Sequence, residues 1–536
     1  MGGGLLQLVA YGAQDAYITG NPHITFWKVL YKRHTNFAME AFRVNFTGKP
    51  QYGQRVVAVI NRNADLMYKT YLEVQLPDTV SAGVKWSAAF ERRLGYQLLK
   101  KIEVEIGGQI IDTHYGEWLF LWENLTSNFD NSVKLDSMTG GYLGGTETSA
   151  VSCGGRPAIL YIPLQFWFCR NPGLALPLIA LQYHEVRINV TLNPATDLVT
   201  ASVVGNPTST QTVSGQAALL PQLTDMSLYI DYIYLDVDER RRFAQQSHEY
   251  LIDQLQFGLQ QTITTSSARI DLTLNHPVKE LVWVFQDARK TDCGSELTTN
   301  AGFTQPFSYD DIVNRARLQI NGQDRFDERY GDYFWKVQPY QHHTGGAFWP
   351  MRAQVTSASV TATTISLTGT TSHTVSGDVL TIGGTAGSAG VPGTSGPYIA
   401  EGSTVTTADG LWFAPGTVIT AFGSGSGGIG TYTLSEPVLQ NGTVSTTIVI
   451  TRPNVNYSPH PNPINVYSFA LQPEEHQPSG TCNFSRIDTT TLVFDSISAA
   501  GIAKPTKSTP FNFRIYGVNY NIFRVMSGMG GLAYSN

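Results

Sequence analysis

Apolar and polar residues alternate along two stretches of the chain that also resemble each other in sequence. Residues 102–109 read IEVEIGGQ, and residues 316–323 read ARLQINGQ. A two-residue period is typical of a strand with one buried face. Gly107-Gly108 and Asn321-Gly322 accept the positive φ that a two-residue hairpin turn requires. Each stretch therefore predicts a strand that ends in a tight hairpin.

The resemblance between the two stretches continues beyond the turn, since residues 115–118 read YGEW and residues 330–333 read YGDY. The copies are offset by 214 residues at the second glycine of the turn and by 215 at the tyrosine. Chance rarely keeps such a pattern in register. The sequence therefore predicts two copies of one fold in tandem, which favours a structural building block over an enzyme with a cleft.

Strand-like alternation continues along most of the chain, for example over 186–192 and 270–274. Near the end, apolar residues hold one phase at 511, 513 and 515 and the opposite phase at 518, 520 and 522, which predicts a bulge or kink at Gly517. Helical patterning is sparse and predicts only short turns after Asn21-Pro22 and around 238–246. These patterns together predict an all-β protein.

Length and composition limit the class of protein further. With 536 residues, the chain is long enough for two or three domains. Charged residues make up 15% of the chain, against about 25% in an average soluble protein. The many glycines, tyrosines and phenylalanines fit a β protein whose surface is largely covered by partners. The formal net charge of −6 and the absence of a net basic cluster predict no direct binding of nucleic acid.

The sequence shows no export, membrane or metal-binding signal. Residues 1–6 lack the features of a signal peptide, and the most apolar run, 158–169, is shorter than the roughly 20 residues that cross a bilayer. The four cysteines show no Cys-x-x-Cys spacing, so neither a zinc site nor a disulfide framework is predicted. We expect the protein to assemble in a reducing, cytosolic compartment.

One segment, 353–451, differs from the rest in composition. It contains no lysine or arginine, four acidic residues and a dense mixture of threonine, serine, glycine and valine. Runs such as 418–422 and 446–450 have a strand propensity that flexible linkers lack. We therefore predict a small inserted β domain, which should project from the surface because insertions are tolerated at exposed loop tips.

Several longer motifs carry a resemblance to a known family. They are LLQLVAYGAQD at 5–15, TGNP at 19–22, YKRHTNF at 31–37, DERRRF at 238–243, HEY at 248–250, NVYSFAL at 465–471 and PEEHQPSGTCNFSR at 473–486. With these motifs the chain resembles the major capsid proteins of large icosahedral DNA viruses of eukaryotes, the nucleocytoplasmic group. The resemblance covers essentially the whole chain except 353–451.

The resemblance implies an all-β fold of two tandem eight-stranded jelly rolls, a double jelly roll. It implies a structural protein that is not an enzyme and needs no cofactor. Three subunits are expected to form a homotrimeric capsomer of pseudo-sixfold outline, and capsomers to tile the outer shell of the virion. The expected partners are neighbouring capsomers, minor capsid and penton proteins, and an inner membrane close beneath the shell. Assembly is expected in the host cytoplasm.

This fold divides the chain into four parts. We expect an N-terminal arm at 1–25 and the first jelly roll at 26–237. The second jelly roll is expected at 238–352 and 452–536, and the inserted, surface-exposed β domain at 353–451 lies in one of its loops.

Two clusters of titratable residues resemble enzyme sites. Glu474-Glu475-His476, with His460 and Cys482, has the side chains of a metal site or of a Cys/His nucleophile. Glu103 and Glu105 share one face of a strand at roughly 6.5–7 Å, within reach of the spacing of inverting glycosidases. Because a proline-rich loop and a solvated strand face are ordinary structural settings, we predict no catalytic, cofactor-binding or metal-binding residue in either cluster.

His342-His343 adjoins an aromatic, glycine-rich loop that includes Trp349. Neighbouring residues on a strand point in opposite directions and would chelate a ligand poorly, so a packing or trimer-contact role is predicted. The alternative function is a carbohydrate-binding or glycan-processing β-sandwich surface protein, which would bind through the insert or through Trp349. Self-assembly into symmetric trimers that sugars do not affect would separate the two functions.

Six Asn-x-Ser/Thr acceptors occur, at Asn45, Asn124, Asn189, Asn441, Asn456 and Asn483. Asn189 lies inside a predicted strand and is expected to be buried or paired. Asn441 and Asn456 are the candidate glycosylation sites. Assembly in the cytosol would bypass the usual glycosylation machinery.

Overall fold

The computed structural model of the chain describes residues 10, 12–29, 31–77, 85–86, 93–140, 151–152, 156–157, 159–200, 222–288, 307, 309–345, 364–367, 374–376, 379–382, 404–407, 417, 419–422, 430–434, 439, 442–443, 448–451, 463–497, 505 and 510–534. Antiparallel strands are the predominant element of these residues. None of the helices described is both long and apolar enough to cross a bilayer.

The first half of the chain forms two main antiparallel sheets and two small ones. Its strands are β1 (Phe37–Asn45), β2 (Arg55–Val59), β3 (Leu66–Gln75), β4 (Lys85–Trp86), β5 (Leu99–Ile106), β6 (Gln109–Tyr115), β7 (Val151–Ser152), β8 (Arg156–Pro157), β9 (Ile159–Pro163), β10 (Leu176–Pro177), β11 (Val186–Leu192), β12 (Val199–Thr200) and β13 (Asp225–Leu235). One sheet has the order β1-β13-β3-β10, with β9 also paired to β3. The other has the order β2-β11-β5-β6, and in the small sheets β4 pairs with β12 and β7 pairs with β8.

The second half also forms two antiparallel sheets. The remaining strands are β14 (His248–Ile263), β15 (Ala268–Asp271), β16 (Pro277–Asp287), β17 (Val313–Ile320), β18 (Gln323–Asp324), β19 (Arg329–Tyr330), β20 (Thr364–Leu367), β21 (Thr374–Ser376), β22 (Val379–Ile382), β23 (Thr404–Thr407), β24 (Ile419–Phe422), β25 (Gly430–Leu434), β26 (Gly442–Thr443), β27 (Ile448–Thr451), β28 (Asn465–Ser468), β29 (Cys482–Asn483), β30 (Thr490–Ile497), β31 (Phe511–Met526) and β32 (Met529–Leu532). One sheet has the order β14-β31-β16-β28, with β29 and β32 at its margins; the other runs β15-β30-β17-β18, with β19 also on β17.

The two halves match strand for strand. In the first half, β1, β3 and β13 share one sheet with the short strands β9 and β10, and β2, β5, β6 and β11 form the other. In the second half, β14, β16 and β31 share one sheet with the short strands β28 and β29, and β15, β17, β18 and β30 form the other. This order is that of a jelly roll, in which the chain passes from one sheet to the other and leaves few open edges. The predicted all-β fold of two tandem jelly rolls is confirmed.

The repeated hairpin is present in both halves. β5 and β6 are joined by Gly107 and Gly108, with φ of 60° and 87°, and the corresponding turn at Asn321 and Gly322 has φ of 49° and 77°. Positive φ at both central positions matches the turn to the twist of its strands. The alternation also holds in the first copy, since the apolar side chains of β5 point into the core.

The insert contributes eight short strands, β20 to β27. They form one sheet of order β20-β27-β23 and another of order β24-β25-β22-β21-β26. In the described parts of 353–451, these strands pair only with one another. The limits of the inserted domain stay a prediction.

Helices occupy the connections between strands. They are α1 (Ala13–Thr19), α2 (Leu94–Leu98), α3 (Gly116–Thr126), α4 (Phe129–Thr139), α5 (Trp167–Arg170), α6 (Val237–Gln245) and α7 (Gln338–His342), and Tyr333–Val337 forms a π-helical turn before α7. The predicted helical turn near 238–246 is confirmed as α6. After Asn21-Pro22 the structure has a turn at Phe26 and Trp27 but no helix, since the nearest helix, α1, precedes that dipeptide and ends at Thr19. The sequence patterns did not predict α3 and α4.

The predicted bulge at Gly517 is also wrong. β31 is continuous through Gly517, and the irregularities lie on its neighbours, at Gly258 in β14 and Lys279 in β16. The apolar phase changes because β31 becomes buried on both faces. Phe513 belongs to the core of the second roll, whereas Val518 belongs to a core that is continuous with the first roll.

Candidate functional site at the seam between the two rolls

The first roll covers the outer face of one sheet of the second roll, and we call this contact the seam. Several aromatic pairs join the rolls, among them Tyr115 and Phe257 at 5.3 Å, Trp118 and Tyr516 at 5.4 Å, and Phe120 stacked on Phe307 at 4.8 Å between ring centroids. Helix α3 supplies the first-roll side of the last two pairs. Ten of the eleven residues of β16 are consequently buried, whereas burial in the corresponding strand β3 largely alternates.

A charged cluster lies in the seam at the start of α3. Arg514 of β31 donates from Nε to the carboxylate of Glu117 at 2.8 and 2.7 Å, and it also donates to Gln286 at 2.6 Å. The hydroxyls of Tyr309 and Tyr516 donate to the same carboxylate at 3.2 and 2.5 Å. Burial, followed by the Glu117 charge, raises the pKa of both tyrosines well above the usual value, so they remain donors. Both members of the ion pair are largely buried.

Glycine at the first position of α3 is what lets this cluster form. A Cβ on Gly116 would overlap the backbone carbonyl oxygens of Tyr96 in α2 and of Leu99 at the start of β5. In the second roll, a Cβ on Gly331 would overlap the carbonyl oxygen of Val313, at the start of β17. The repeated Tyr-Gly-acid motif therefore marks the same close approach of two backbone segments in both rolls.

An open cleft of about 550 Å³ runs along the seam beside the Glu117–Arg514 pair. Its lining includes Lys100, Lys101 and Asn193 from the first roll and Gln260 from the second. These residues offer positive charge and amide groups. They include no nucleophile with an adjacent base, so the cleft does not have the arrangement of a hydrolytic site.

A second charged cluster lies farther along the seam. Lys279 of β16 is fully buried, and its Nζ lies 3.1 Å from Asp253 of β14 and donates to the carbonyl oxygen of Pro473 at 2.9 Å. Arg170, at the end of α5 in the first roll, lies 3.6 Å from the same aspartate. Asp253 and Pro473 thus offset the desolvation of the buried ammonium within the second roll, and Arg170 adds a contact of this cluster with the first roll.

His343 forms a third cluster. Its Nε2 lies 3.0 Å from Glu280, and its Nδ1 lies 2.9 Å from Glu474. The Oγ1 of the adjacent Thr344 lies 2.6 Å from Glu474 and 3.0 Å from the carbonyl oxygen of Thr126 in the first roll, and its single hydrogen is available to one of these acceptors at a time. Burial alone would lower the pKa of His343, but the two carboxylates outweigh it and raise the pKa to about 9. The imidazole is therefore charged at neutral pH.

The His343 cluster should make stability depend on pH. The folded-state pKa of about 9 lies above the ordinary 6.5, so the stabilisation is fully present below pH 6.5 and is lost as the pH rises through 9. A shift of this size corresponds to about 3 kcal/mol. We expect His343→Gln to remove that loss, as measured by denaturant unfolding between pH 6.5 and 9.5.

The neighbouring His342 provides the control for this measurement. It is only half-buried and lies 3.1 Å from the carbonyl oxygen of Leu471. His342→Gln should keep the pH dependence of the wild type. Equal pH dependence in wild type and His343→Gln would contradict the assignment.

The last hairpin of the described chain also contacts the first roll. The turn between β31 and β32 places the carbonyl oxygen of Gly528 where Tyr183 N donates to it at 3.0 Å. The Nδ1 of His184 lies 2.9 Å from the carbonyl oxygen of Gly530. A loop of the first roll thus contacts the hairpin of β31 and β32 in the second roll.

The described residues of the first cluster that resembled an enzyme site have the following surroundings. Glu474 binds His343, Glu475 is exposed, and Cys482 lies in β29, where burial raises the pKa of its thiol and disfavours the thiolate. No group of three or more potential metal ligands occurs among the described residues. His460 lies outside them.

Glu103 and Glu105 form an ion network instead of a glycosidase pair. Glu103 contacts Lys101 at 2.6 Å and Arg55 at 3.1 Å, and Glu105 accepts from Asn189 at 2.9 Å. Glu103 is buried rather than solvated as expected. The expected burial and pairing of Asn189 is confirmed, which makes it a poor glycan acceptor.

His342 and His343 occupy the end of α7 rather than a strand, and only His343 belongs to the seam. The expected packing role applies to His343. Trp349, Asn441 and Asn456 lie outside the described residues, and glycosylation of the two asparagines stays a prediction. Glu117 was not predicted as a site residue, although its place in the repeated Tyr-Gly-acid motif was the signal that marked it.

Comparison with known proteins gives the family. A family model described as the major capsid protein N-terminus matches residues 25–236, and one described as the large eukaryotic DNA virus major capsid protein matches 239–371 and 445–531. The major capsid protein of Pyramimonas orientalis virus is 39% identical over 541 residues, covering 100% of both chains. This chain belongs to the major capsid proteins of large eukaryotic DNA viruses. The resemblance found in the sequence is confirmed.

Other relatives agree over the full length. The major capsid protein of Paramecium bursaria Chlorella virus 1 is 34% identical, again covering 100% of both chains. A chain of the PBCV-1 virus capsid has a TM-score of 0.59 at 30% identity and covers 96% of this chain and 100% of its own. The Faustovirus major capsid protein, at 11% identity and a TM-score of 0.56, covers 96% of this chain and 94% of its own and supports the fold alone.

Membership of this family assigns the protein a structural role in the virion rather than an enzymatic one. The carbohydrate-binding alternative is not favoured, since these relatives are named as capsid proteins. Capsid proteins act through the surfaces by which they assemble. The seam therefore matters because it sets the relative orientation of the two rolls that assemble.

Proposed function

We propose that three copies of this chain form a capsomer of pseudo-sixfold outline and that such capsomers tile the icosahedral shell of a large DNA virus. The observation that carries this proposal is the equal strand order of the two rolls, which lie side by side in one chain. Three chains related by a threefold axis would present six similar walls. A hexagonal outline of this kind packs a plane without gaps.

The seam supports the proposal because a tile must be rigid. A surface in which each roll moved independently would lose conformational entropy at every contact with a neighbour. Three contacts join the rolls: the Glu117–Arg514 pair, the Arg170–Asp253 pair beside Lys279, and the contact of Thr344, beside His343, with the carbonyl oxygen of Thr126. The charged hydrogen bonds of the Glu117–Arg514 pair have defined geometry, which favours a single orientation of one roll on the other.

The domain division is part of the proposal. The arm would comprise 1–25, the rolls 26–237 and 238–352 with 452–536, and the insert 353–451 would project outward from the capsomer. Around each capsomer we place neighbouring capsomers, minor capsid and penton proteins, and an inner membrane beneath the shell. Assembly would take place in the host cytoplasm, and the proposed contacts include none with nucleic acid.

The solution mass of the purified protein tests this proposal. We expect light scattering to give a species of about 176 kDa, three times the 58.8 kDa of one chain. Images of that species should show a hexagonal outline. A folded protein of 58.8 kDa at every concentration measured would contradict the proposal.

A further inference from the structure

We propose that the seam inside one chain is repeated between chains, where residues 332–342 of one copy dock on the outer face of the first-roll sheet of a second copy. We call these residues the docking segment and that face, marked by Arg43, Tyr71, Tyr161 and Tyr229, the open sheet face. The inference rests on the proposed trimer. It assigns the two surfaces that join its subunits.

The docking segment occupies the position that α3 has in the first roll. Gly331 packs on the start of β17 as Gly116 packs on the start of β5, so the acid that follows it, Asp332, corresponds to Glu117. Glu117 is buried in the seam, but the Asp332 side chain is 56% exposed and contacts Lys336 one turn later. Farther along, Tyr340 is 87% exposed. The second roll thus presents an uncovered equivalent of the element that the first roll buries.

The open sheet face corresponds to the sheet face that the seam covers. In β31, Phe513 and Ile515 face the second-roll core, and in β13, Leu228 and Ile230 face the first-roll core. Matching these inward-facing residues places Tyr229 where β31 has Arg514.

The two matched residues have neighbours on corresponding strands. Arg514 pairs across to Gln260 in β14 and to Val284 in β16, and Tyr229 pairs across to Arg43 in β1 and to Tyr71 in β3. These strands occupy the same places in their sheets. The matched position on the first roll is therefore a tyrosine flanked by an arginine and a second tyrosine.

Within the part of the chain that the structure describes, the marker residues of the open sheet face are not buried. Tyr229 stacks on Tyr71 at 5.2 Å with the rings 3° from parallel, and Tyr161 lies 6.1 Å from Tyr71. All three tyrosines are only half-buried, and Arg43 is exposed and pairs with Asp225. Stacked tyrosines offer a large contact area with polar hydroxyls, as is common at the centres of protein interfaces.

The docking segment and the open sheet face carry complementary chemical groups, as the two sides of the seam do. In the seam a carboxylate accepts from an arginine and from tyrosine hydroxyls. Asp332 would bring a carboxylate to Arg43 and Tyr229, and the Tyr340 ring would add aromatic contact near the tyrosine stack. The two surfaces differ from each other, so the contact is heterologous, and three such contacts close a ring.

Crosslinking between copies tests the surfaces directly. We would combine Asp332→Cys and Tyr229→Cys in one chain and treat it with a short bismaleimide. We expect covalent trimers on a denaturing gel, and covalent dimers when the two single variants are mixed. Asp332→Cys combined with Ser267→Cys, which lies in an exposed turn between β14 and β15, should give only the background of the native cysteines.

A repulsive variant gives an independent readout. Tyr229→Glu would place a carboxylate opposite Asp332, and we expect the dissociation constant of the trimer to rise at least about tenfold with unchanged thermal unfolding of the single chain. Ser267→Glu should leave assembly unchanged. If the wild type is a trimer but shows no specific crosslink, and Tyr229→Glu has no effect on assembly, the surface assignment alone is wrong. If the wild type is a monomer, the proposed function is wrong.

Discussion

Replacing Glu117 with glutamine is expected to destabilise the protein by about 3–5 kcal/mol, the usual cost of removing one member of a buried ion pair. The amide keeps the shape of the side chain but leaves Arg514 charged and without a counter-ion in the seam. Burial lowers the pKa of Arg514, but the Glu117 carboxylate outweighs it and raises the pKa above the usual range. The variant lacks that carboxylate, but the guanidinium of arginine is not deprotonated in proteins, so the cost cannot be avoided by losing a proton. Denaturant unfolding monitored by tryptophan fluorescence measures the change.

The second roll supplies a matched control for this substitution. Asp332 follows the corresponding glycine, but its carboxylate is exposed and pairs with Lys336 on its own helical turn. We expect Asp332→Asn to change the stability of the single chain by less than about 0.5 kcal/mol. If the two variants lost equal stability, the Glu117–Arg514 pair would not be what holds the rolls together.

Replacing Gly116 with alanine is expected to cost about 3 kcal/mol or more, and Gly331→Ala should cost a similar amount. In both rolls the added methyl group would overlap backbone carbonyl oxygens rather than a side-chain end that can rotate away. The start of α3 would have to move off β5, and the seam cluster would move with it. Thermal and denaturant unfolding measure the loss.

Gly322→Ala separates this steric effect from the general cost of replacing a glycine. Gly322 has φ of +77°, and no atom lies within 4 Å of the place that an alanine Cβ would occupy, so only backbone strain opposes the alanine. That strain is about 1–2 kcal/mol. A loss at Gly116 no larger than that at Gly322 would show that the backbone of α3 shifts without difficulty.

The features that sequence could predict are those encoded within a few neighbouring residues. A two-residue period followed by Gly107-Gly108 or Asn321-Gly322 specifies a strand and its turn, and both hairpins formed as predicted. The repeat was visible because both copies keep these short signals in register. The jelly-roll order itself was implied by family resemblance, since the pairing of β1 with β13 joins residues far apart in the chain.

Helix α3 was missed although it carries a helical spacing. Trp118, Leu121, Trp122 and Leu125 recur at intervals of three and four residues, which is typical of one helical face. The residues between them, Leu119 and Phe120, are apolar as well. A helix buried on nearly all sides has no polar face to reveal its period, and the seam supplies the burial on the second side.

The partners across the seam had no local signal. Glu117 and Arg514 are 397 residues apart, and neither sequence neighbourhood shows that the other exists. In β31 the sequence did carry a signal, the change of apolar phase, but the prediction explained it by a bulge at Gly517, whereas the cause is burial of the strand on both faces. A strand that leaves the core of one roll and enters the contact with another becomes apolar on both faces, and sequence alone does not separate this from a bulge.

Strand β31 lies between β14 and β16, as β13 lies between β1 and β3. In each roll, therefore, the last long strand to leave the ribosome is the one that joins strands made much earlier. The first roll can close its sheet during synthesis, but β14 must wait for a partner more than 240 residues downstream. A chain that stops short of residue 511 cannot complete the second roll or its side of the seam. An incomplete translation product would therefore lack one of the two rolls that the proposed capsomer needs.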